Sequence, residues 1–492
     1  MANQTDCDVL IVGGSLGGLS AAAFLGHHGI RAYVVEKHHG TSIHPRAGHF
    51  HLGTLEAYRR IGLEQSILEA SREQFGPDGG INLVETLAGR ELAKFVPDIN
   101  AGVDPYSPCR RLFMTQQSLE PLLHQRAVEL GATLHYRTEL VAFEQDAAGV
   151  TARVRDLDSG AEREIRARYM IAGDGNRSPV RAALGIGTHG PGWLSDSLTV
   201  YFRANCQPWL EGRQLGVIYV KNADLRGFFR FEAGGTRGFL AVNTLGDLSL
   251  LGAKTVANDT SPEHCAALVR SAVGVPDLAL EIDDVATWKA EAICADAFRR
   301  GRVFLMGDAA HVVPPTGGFG GNTGVGDAAN LAWKLAQVLK GEAQEALLDS
   351  YEEERLPVAE VVVEQAYARY IRRVVPEEIN ASTPEMRDDL TTEIGQLYRS
   401  GAVVRVGGAH DPAYGHPDAI RGLPGARLPH AWLDDGRSTL DLVGTSPVRV
   451  LGPDGGGDGI RLSRAVAAEC GIADTGGVLV RPDGFIAEAW PA

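Results

Sequence analysis

The feature that most constrains this chain lies near its start. A short apolar run, Asp8-Val9-Leu10-Ile11-Val12, ends in Gly13-Gly14-Ser15-Leu16-Gly17-Gly18. An apolar run bounded by glycines reads as a buried parallel strand. The stretch from Gly18 to His28 has helical composition, with Ala21, Ala22, Phe24 and Leu25, and stops at Gly29, the residue type that most readily closes a helix. Arg31 to Glu36 reads as a second strand, which completes a βαβ unit. A dinucleotide fingerprint wants G-x-G-x-x-G, with the first glycine for the tight turn and the last for close helix–strand packing. Here Ser15 takes the middle position. The amides that open the helix are placed to hold a pyrophosphate, and Glu36 stands where an acid accepts from a ribose hydroxyl. Read without a nucleotide, the same residues make only a glycine-rich strand–helix turn.

Two further apolar runs end in the same way. Tyr169-Met170-Ile171-Ala172 leads into Gly173-Asp174-Gly175, and Val303-Phe304-Leu305-Met306 leads into Gly307-Asp308-Ala309-Ala310-His311. The third continues through Pro314-Pro315-Thr316-Gly317-Gly318-Phe319-Gly320-Gly321-Asn322. A strand-end Asp beside glycines can accept from sugar or ribityl hydroxyls, while the glycines let backbone approach a flat ligand. Either motif alone is an ordinary turn. Gly makes up 60 of the 492 residues, well above the usual roughly 7%, and these stretches account for much of the excess.

Elsewhere the texture is mixed. Leu119, Leu122, Leu123, Ala127 and Leu130 form a helical stripe before Gly131, and β-type runs follow at Leu140–Glu144 and Val150–Arg155. From about Ser197 to Trp288, runs such as Leu198–Phe202, Leu215–Val220, Gly227–Phe231 and Phe239–Val242 predict an aromatic-rich antiparallel sheet. Two long helices are expected near Val325–Leu339 and Glu352–Arg373, then a Gly/Pro/Asp-rich linker and a small αβ appendage. The net charge of −15 disfavours nucleic acid and anionic membrane as partners. No apolar run is long enough to span a bilayer, and Met1 to Asp8 has no basic and apolar leader pattern. The six cysteines show neither C-x-x-C nor zinc-ligand spacing, so no metal is expected, and reduced thiols in a cytoplasmic protein are.

The three glycine motifs, in this order and spacing, resemble those of the group A FAD-dependent aromatic hydroxylases, the para-hydroxybenzoate hydroxylase-like flavoproteins. Within that group the chain is most similar to the bacterial hydroxylases that tailor aromatic polyketides. The resemblance is convincing over about residues 7 to 375, and the tail resembles a shortened thioredoxin-like domain without a redox dithiol. It implies an α/β fold with a Rossmann-like FAD-binding domain over 1–180 and 290–400. An antiparallel-sheet substrate domain over 181–289 and a thioredoxin-like C-terminal domain over 401–492 complete it. The tail is expected to be structural or oligomerising, in a monomer or a homodimer.

By position, the resemblance assigns Gly13, Ser15, Leu16, Gly17, Gly18, Glu36 and Lys37 to the ADP half of FAD. Arg46 falls near the pyrophosphate and Gln116 on the flavin side. Asp174 lies in the motif tied to both FAD and NAD(P)H. Gly307 and Asp308 fall at the ribityl chain, Pro314 at the flavin edge where oxygen reacts, and Gly320, Gly321 and Asn322 at the pyrimidine end of the ring. Phe319 and Gly321 depart from the family's usual Gln and Met. His49 is a candidate to polarise or deprotonate a phenol, against a plain packing role for it and its neighbours His44 and His51.

The implied activity is NAD(P)H-dependent reduction of FAD, with NADPH preferred, followed by O2 uptake. Oxygen then passes from a flavin C4a-hydroperoxide to an aromatic carbon. A polycyclic polyketide is the preferred substrate and a simple phenol or hydroxybenzoate the runner-up, with Baeyer–Villiger oxygenation as an alternative outcome. A non-catalytic flavin or aromatic-ligand binder is the remote reading from another class. The lack of a second G-x-G-x-x-G argues against a two-nucleotide disulfide reductase.

Overall fold

The computed structural model describes residues 5–43, 48–75, 79–211, 215–232, 234–250, 252–404 and 413–490. The predicted βαβ unit is present as strand Cys7–Val12, helix Leu16–His27 and strand Ala32–Val35. Strand Cys7–Val12 pairs in parallel with Ala32–Val35 on one side and with Glu162–Ala172 on the other. Val303–Leu305 continues the parallel order beyond Glu162–Ala172. All three glycine motifs therefore follow the carboxyl ends of adjacent parallel strands, the edge at which open α/β sheets bind ligands. These strands and the helices on them bury one large core, which includes Val9, Leu10, Ile11, Leu19, Leu25, Ile171, Phe304 and Leu331.

The second sheet has eight strands. Thr188–Ala204, Leu280–Ala295, Arg237–Leu245, Leu225–Phe231 and Leu215–Lys221 form its antiparallel body. Three strands come from outside the 181–289 segment: His311–Val312, antiparallel to Leu280–Ala295, Gly80–Val84, parallel to Leu215–Lys221, and Glu91–Val96 beyond it. No element is assigned to 80–96 from the sequence, and this excursion ties the sheet to the first body. One face of the sheet packs on helix Pro262–Val273 through Val200, Phe202, Phe229 and Leu268. On the opposite face Arg230 packs over Gly48, next to the His49 that touches the Gly318 turn.

Helix Phe319–Leu339 begins six residues before the expected start at Val325. Its first turns are rich in glycine, which local propensity disfavours. Packing explains the choice: a Cβ on Gly324 would lie 3.2 Å from Gly307 Cα, and one on Gly326 would lie 2.9 Å from Arg355 Nη2. The second long helix, Asp349–Arg373, carries Arg355. The tail forms the small αβ unit expected of it, with a four-stranded sheet, helix Arg464–Glu469 and its own core around Val450, Val478 and Cys470. All six cysteines are unpaired and buried. Among the described residues no helix is long and apolar enough to cross a membrane.

Candidate active site

Gly13 has φ +106°, and a Cβ there would lie 2.2 Å from the Gly173 carbonyl oxygen. A Cβ on Gly18 would lie 1.8 Å from the Gly13 carbonyl oxygen. The first two motifs therefore touch backbone to backbone, and only glycine fits. Met306, which precedes the third motif, packs its methyl against both Gly17 and Gly173. The three motifs form one continuous groove.

The groove has the donors that a dinucleotide requires. Helix Leu16–His27 starts at Ser15 with no side-chain cap and no acidic residue in its first turn, so its opening N–H groups are left for an anion. Ser15 Oγ instead donates to Glu120 Oε1 at 2.6 Å. Glu120 is fully buried and also accepts from Gln116 Nε2 at 2.6 Å and from the Ser42 amide at 2.5 Å. Gln116 donates to Ser15 Oγ as well, at 2.8 Å. Sequence reasoning missed Glu120, although its place four residues after Gln116 on one helix face was a usable signal. Glu36 accepts from the Gly14 amide at 2.7 Å and the His38 amide at 2.8 Å, while Lys37 beside it is exposed.

Asp174 Oδ2 accepts from the Val180 amide at 3.1 Å, whereas its Oδ1 is buried without a hydrogen-bond partner. Burial raises its pKa. Asp308 is exposed on a short 3-10 turn, Gly307–Ala309. The Gly307 amide donates to Asp327 Oδ2 at 3.0 Å, which His311 Nε2 also meets at 2.7 Å. Arg355 Nε binds Asp327 Oδ1 at 2.8 Å. Burial alone would raise the Asp327 pKa, but His311, Arg355 and the Gly307 amide together pull it down to about 2.

Pro314 is buried at the approach to helix Phe319–Leu339. Gly318, at φ +73°, precedes that helix without any side-chain cap, so the amides of Gly320 and Gly321 are open to an acceptor. The Asn322 side chain is used internally: it donates to the His49 and Gly318 carbonyls at 2.8 and 2.6 Å and accepts from the His51 amide at 2.9 Å. The uncapped helix starts, the orphaned Asp174 oxygen and the glycines that admit no Cβ fit an extended dinucleotide. Arg46 and His44 lie outside the described residues.

His49 sits beside the Gly318 turn and stacks on Phe113 at 4.9 Å. Its Nε2 is buried without a partner. Burial, aided by His51, Arg111 and Arg230, holds its pKa far below the ordinary imidazole range, so the ring is neutral. His51 contacts the Gly317 carbonyl through Nε2 at 3.0 Å and meets Phe319 edge to face. Arg230, whose guanidinium lies over Phe113, borders a cleft of about 180 Å³ lined also by Phe75, Thr115, Tyr201, Phe239, Glu232 and Asp283. Sequence reasoning did not single out Arg230 or Phe113.

These features define a nucleotide-cofactor-binding protein with a separate cleft of aromatic and charged side chains, and the comparisons name the class. The chain belongs to the family described as FAD binding domain, whose model matches residues 6–366. It is 53% identical to the 4-methyl-5-nitrocatechol 5-monooxygenase of Burkholderia sp, over 97% of this chain and 93% of that protein. It is 38% identical to the tetracenomycin A2 monooxygenase-dioxygenase of Streptomyces glaucescens, over 98% of this chain and 93% of that one. Among solved structures it resembles a ternary complex of aklavinone-11 hydroxylase with FAD and aklavinone, with a TM-score of 0.92 at 34% identity. That match covers 100% of this chain and 97% of the other. The protein is an FAD-dependent monooxygenase.

Proposed function

We propose that the protein uses NAD(P)H and O2 to hydroxylate a one-ring acidic phenol of the nitrocatechol kind. The cavity carries this reading. An apolar cavity of about 150 Å³ accommodates benzene. The cleft of about 180 Å³ here, open on one side, holds one substituted ring within its walls. The relative at 53% identity, named for 4-methyl-5-nitrocatechol, supports it. A polycyclic substrate is the second reading, favoured by the likeness to the aklavinone complex.

FAD, when bound, supplies the hydride acceptor and the site of oxygen activation. The chain's residues bind and orient. In this reading the amides of Ser15, Leu16 and Gly17 face the pyrophosphate, with Gly13 and Gly18 opening the turn. Glu36, flanked by Lys37, holds the adenosine ribose and Asp308, after Gly307, the ribityl chain. Gln116 and Glu120 fix Ser15, Asp174 serves the nucleotide side, and Gly320, Gly321 and Asn322 present the helix start to the pyrimidine end. Pro314 packs at the flavin edge. His49, being neutral, serves as a hydrogen-bond partner to a substrate oxygen rather than as a cationic acid. Phe75, Phe113 and Phe319 exclude water.

The body over 1–180 and 290–400 would then carry the cofactor, the sheet over 181–289 would roof it together with residues 80–96, and 401–492 would buttress it. Six reduced thiols suit a cytoplasmic monomer or homodimer. The test is NADPH oxidation by the FAD-loaded protein, screened over phenols, nitrocatechols and polycyclic quinones with product mass. Oxygen inserted at a C–H carbon adds about 16 Da, and oxygen placed on a nitro-bearing carbon displaces nitrite. Stimulation by polycyclic quinones alone would overturn the one-ring reading.

A further inference from the structure

We propose that Arg230 is the anion receptor of this cavity: its guanidinium takes the ionised oxygen of the phenol, so that the enzyme selects substrates able to bind as monoanions. The inference rests on the aromatic-hydroxylase reading above. Strand Leu225–Phe231 places Leu225 and Phe229 in the core beneath the sheet. Strand alternation turns Arg230, with Phe228, to the opposite face. There Arg230 is 7% exposed and lines the cavity.

Its guanidinium carbon lies 4.7 Å from the Phe75 ring centre and 5.0 Å from that of Phe113. Its Nε and Nη2 are buried with no hydrogen-bond partner. Nη1 packs so closely over Gly48 that a Cβ there would lie 1.5 Å away, which fixes the plane of the group. Among the described residues no carboxylate lies within ion-pair distance of Arg230. The charged groups nearest the cavity mouth are already engaged: Asp283 with Arg203 at 2.7 Å and Arg237 at 3.3 Å, and Glu232 with Arg237 at 4.0 Å. Asp284 accepts from the Val285 amide at 2.8 Å. His49, across Phe113, is neutral.

A buried charge without a counter-ion is strongly unfavourable. Burial lowers the Arg230 pKa to about 9, which still leaves it cationic at neutral pH. Two aromatic faces offset part of the desolvation, and two donors remain that a planar oxyanion satisfies. The same positive charge favours the ionised phenol over the neutral one. An ionised phenol has the electron-rich ring that oxygen insertion requires.

The test uses the full-length, FAD-loaded protein with 4-nitrocatechol, whose neutral and ionised forms differ in visible absorption. Titrations are run about one unit below the probe's own pKa, where the free probe is mostly neutral, and read as difference spectra. Wild type is expected to show the ionised band. Arg230→Met should bind at least about 30-fold more weakly, from the loss of a buried charged hydrogen bond, and without that band. Arg230→Lys should restore the band in part. Gly48→Ala displaces the guanidinium without removing its charge and should weaken the band, so the comparison survives if the Met variant fails to fold. Unchanged affinity and band in Arg230→Met overturn the proposal. So does loss of FAD with probe binding intact, which would put Arg230 on the flavin, and so does tighter binding of 4-hydroxybenzoate, which would put a carboxylate there. If wild type binds the probe only in neutral form while another phenol stimulates NADPH oxidation, Arg230 falls and the hydroxylase reading stands. If no aromatic stimulates NADPH oxidation, the reading itself falls.

Discussion

Replacing Arg481 by methionine tests how the C-terminal unit is held to the flavin-binding body. Arg481 is 2% exposed. It donates to Glu354 Oε1 at 2.6 Å and Oε2 at 2.9 Å, and to Asp483 Oδ1 at 3.0 Å. Lys334 Nζ binds Glu354 Oε2 at 2.7 Å, and Trp333 Nε1 donates to Asp483 Oδ2 at 3.0 Å. The buried set thus holds two cations and two carboxylates. Removing Arg481 leaves an excess negative charge in the interface, a change that costs about 3–5 kcal/mol when one partner of a buried pair is lost. For a cooperative unit of under about 100 residues each kcal/mol moves the midpoint by 4–8 °C, so the transition containing the tail should fall by at least about 12 °C. Calorimetry and limited proteolysis of the FAD-loaded protein read this directly, with early release of the segment after residue 404. The double variant Arg481→Met/Glu354→Gln restores charge balance and should be more stable than Arg481→Met alone. A single-variant loss under about 1 kcal/mol, or a double variant less stable than the single, would refute this account of the interface.

Gly18→Ala drives a Cβ to 1.8 Å from the Gly13 carbonyl oxygen, so the strand–helix turn must open; the purified variant should be colourless, and a normal flavin spectrum would contradict the assignment. Asp308→Ala should lower FAD retention on gel filtration, and a variant that stays fully flavinated and active removes Asp308 from the ribityl site. Asp327 titrates near 2 in the folded protein against 3.8 in the unfolded chain. The unfolded state therefore binds the proton first on acidification. Stability of about 2 kcal/mol is present above the unfolded value and is lost as pH falls from about 4 toward 2. Urea midpoints from pH 5 to 3 should fall less steeply in Asp327→Asn, and equal slopes would exclude this contribution.

Much of the groove was legible because its determinants are local. The run Val9–Val12, the glycines after it and Glu36 lie within one βαβ unit, where chain connectivity leaves few arrangements. Parallel pairing then carries Asp174 and Asp308 to the same edge. What could not be read were choices made by distant segments. Gly320 to Gly326 disfavour a helix locally, yet become helical because Gly324 must pass Gly307 and Gly326 must pass Arg355. Strands Gly80–Val84 and Glu91–Val96 join a sheet whose other members begin only at Thr188, far along the chain.

Arg230 is the clearest case of this limit, and it explains why the cofactor is easier to infer than the substrate. In Leu225-Arg226-Gly227-Phe228-Phe229-Arg230-Phe231 the two arginines occupy equivalent alternating positions, and a surface role would suit both. The fold separates them. Arg226 reaches Glu377 and the Val374 carbonyl, whereas Arg230 is enclosed by Phe75, Phe113 and Gly48, which come from three separate stretches of chain. A cofactor that spans three strand ends must be met by backbone, and backbone access leaves a glycine signature in the sequence. A small substrate is met by side chains that converge from unrelated segments, so its determinants appear only when the segments are brought together.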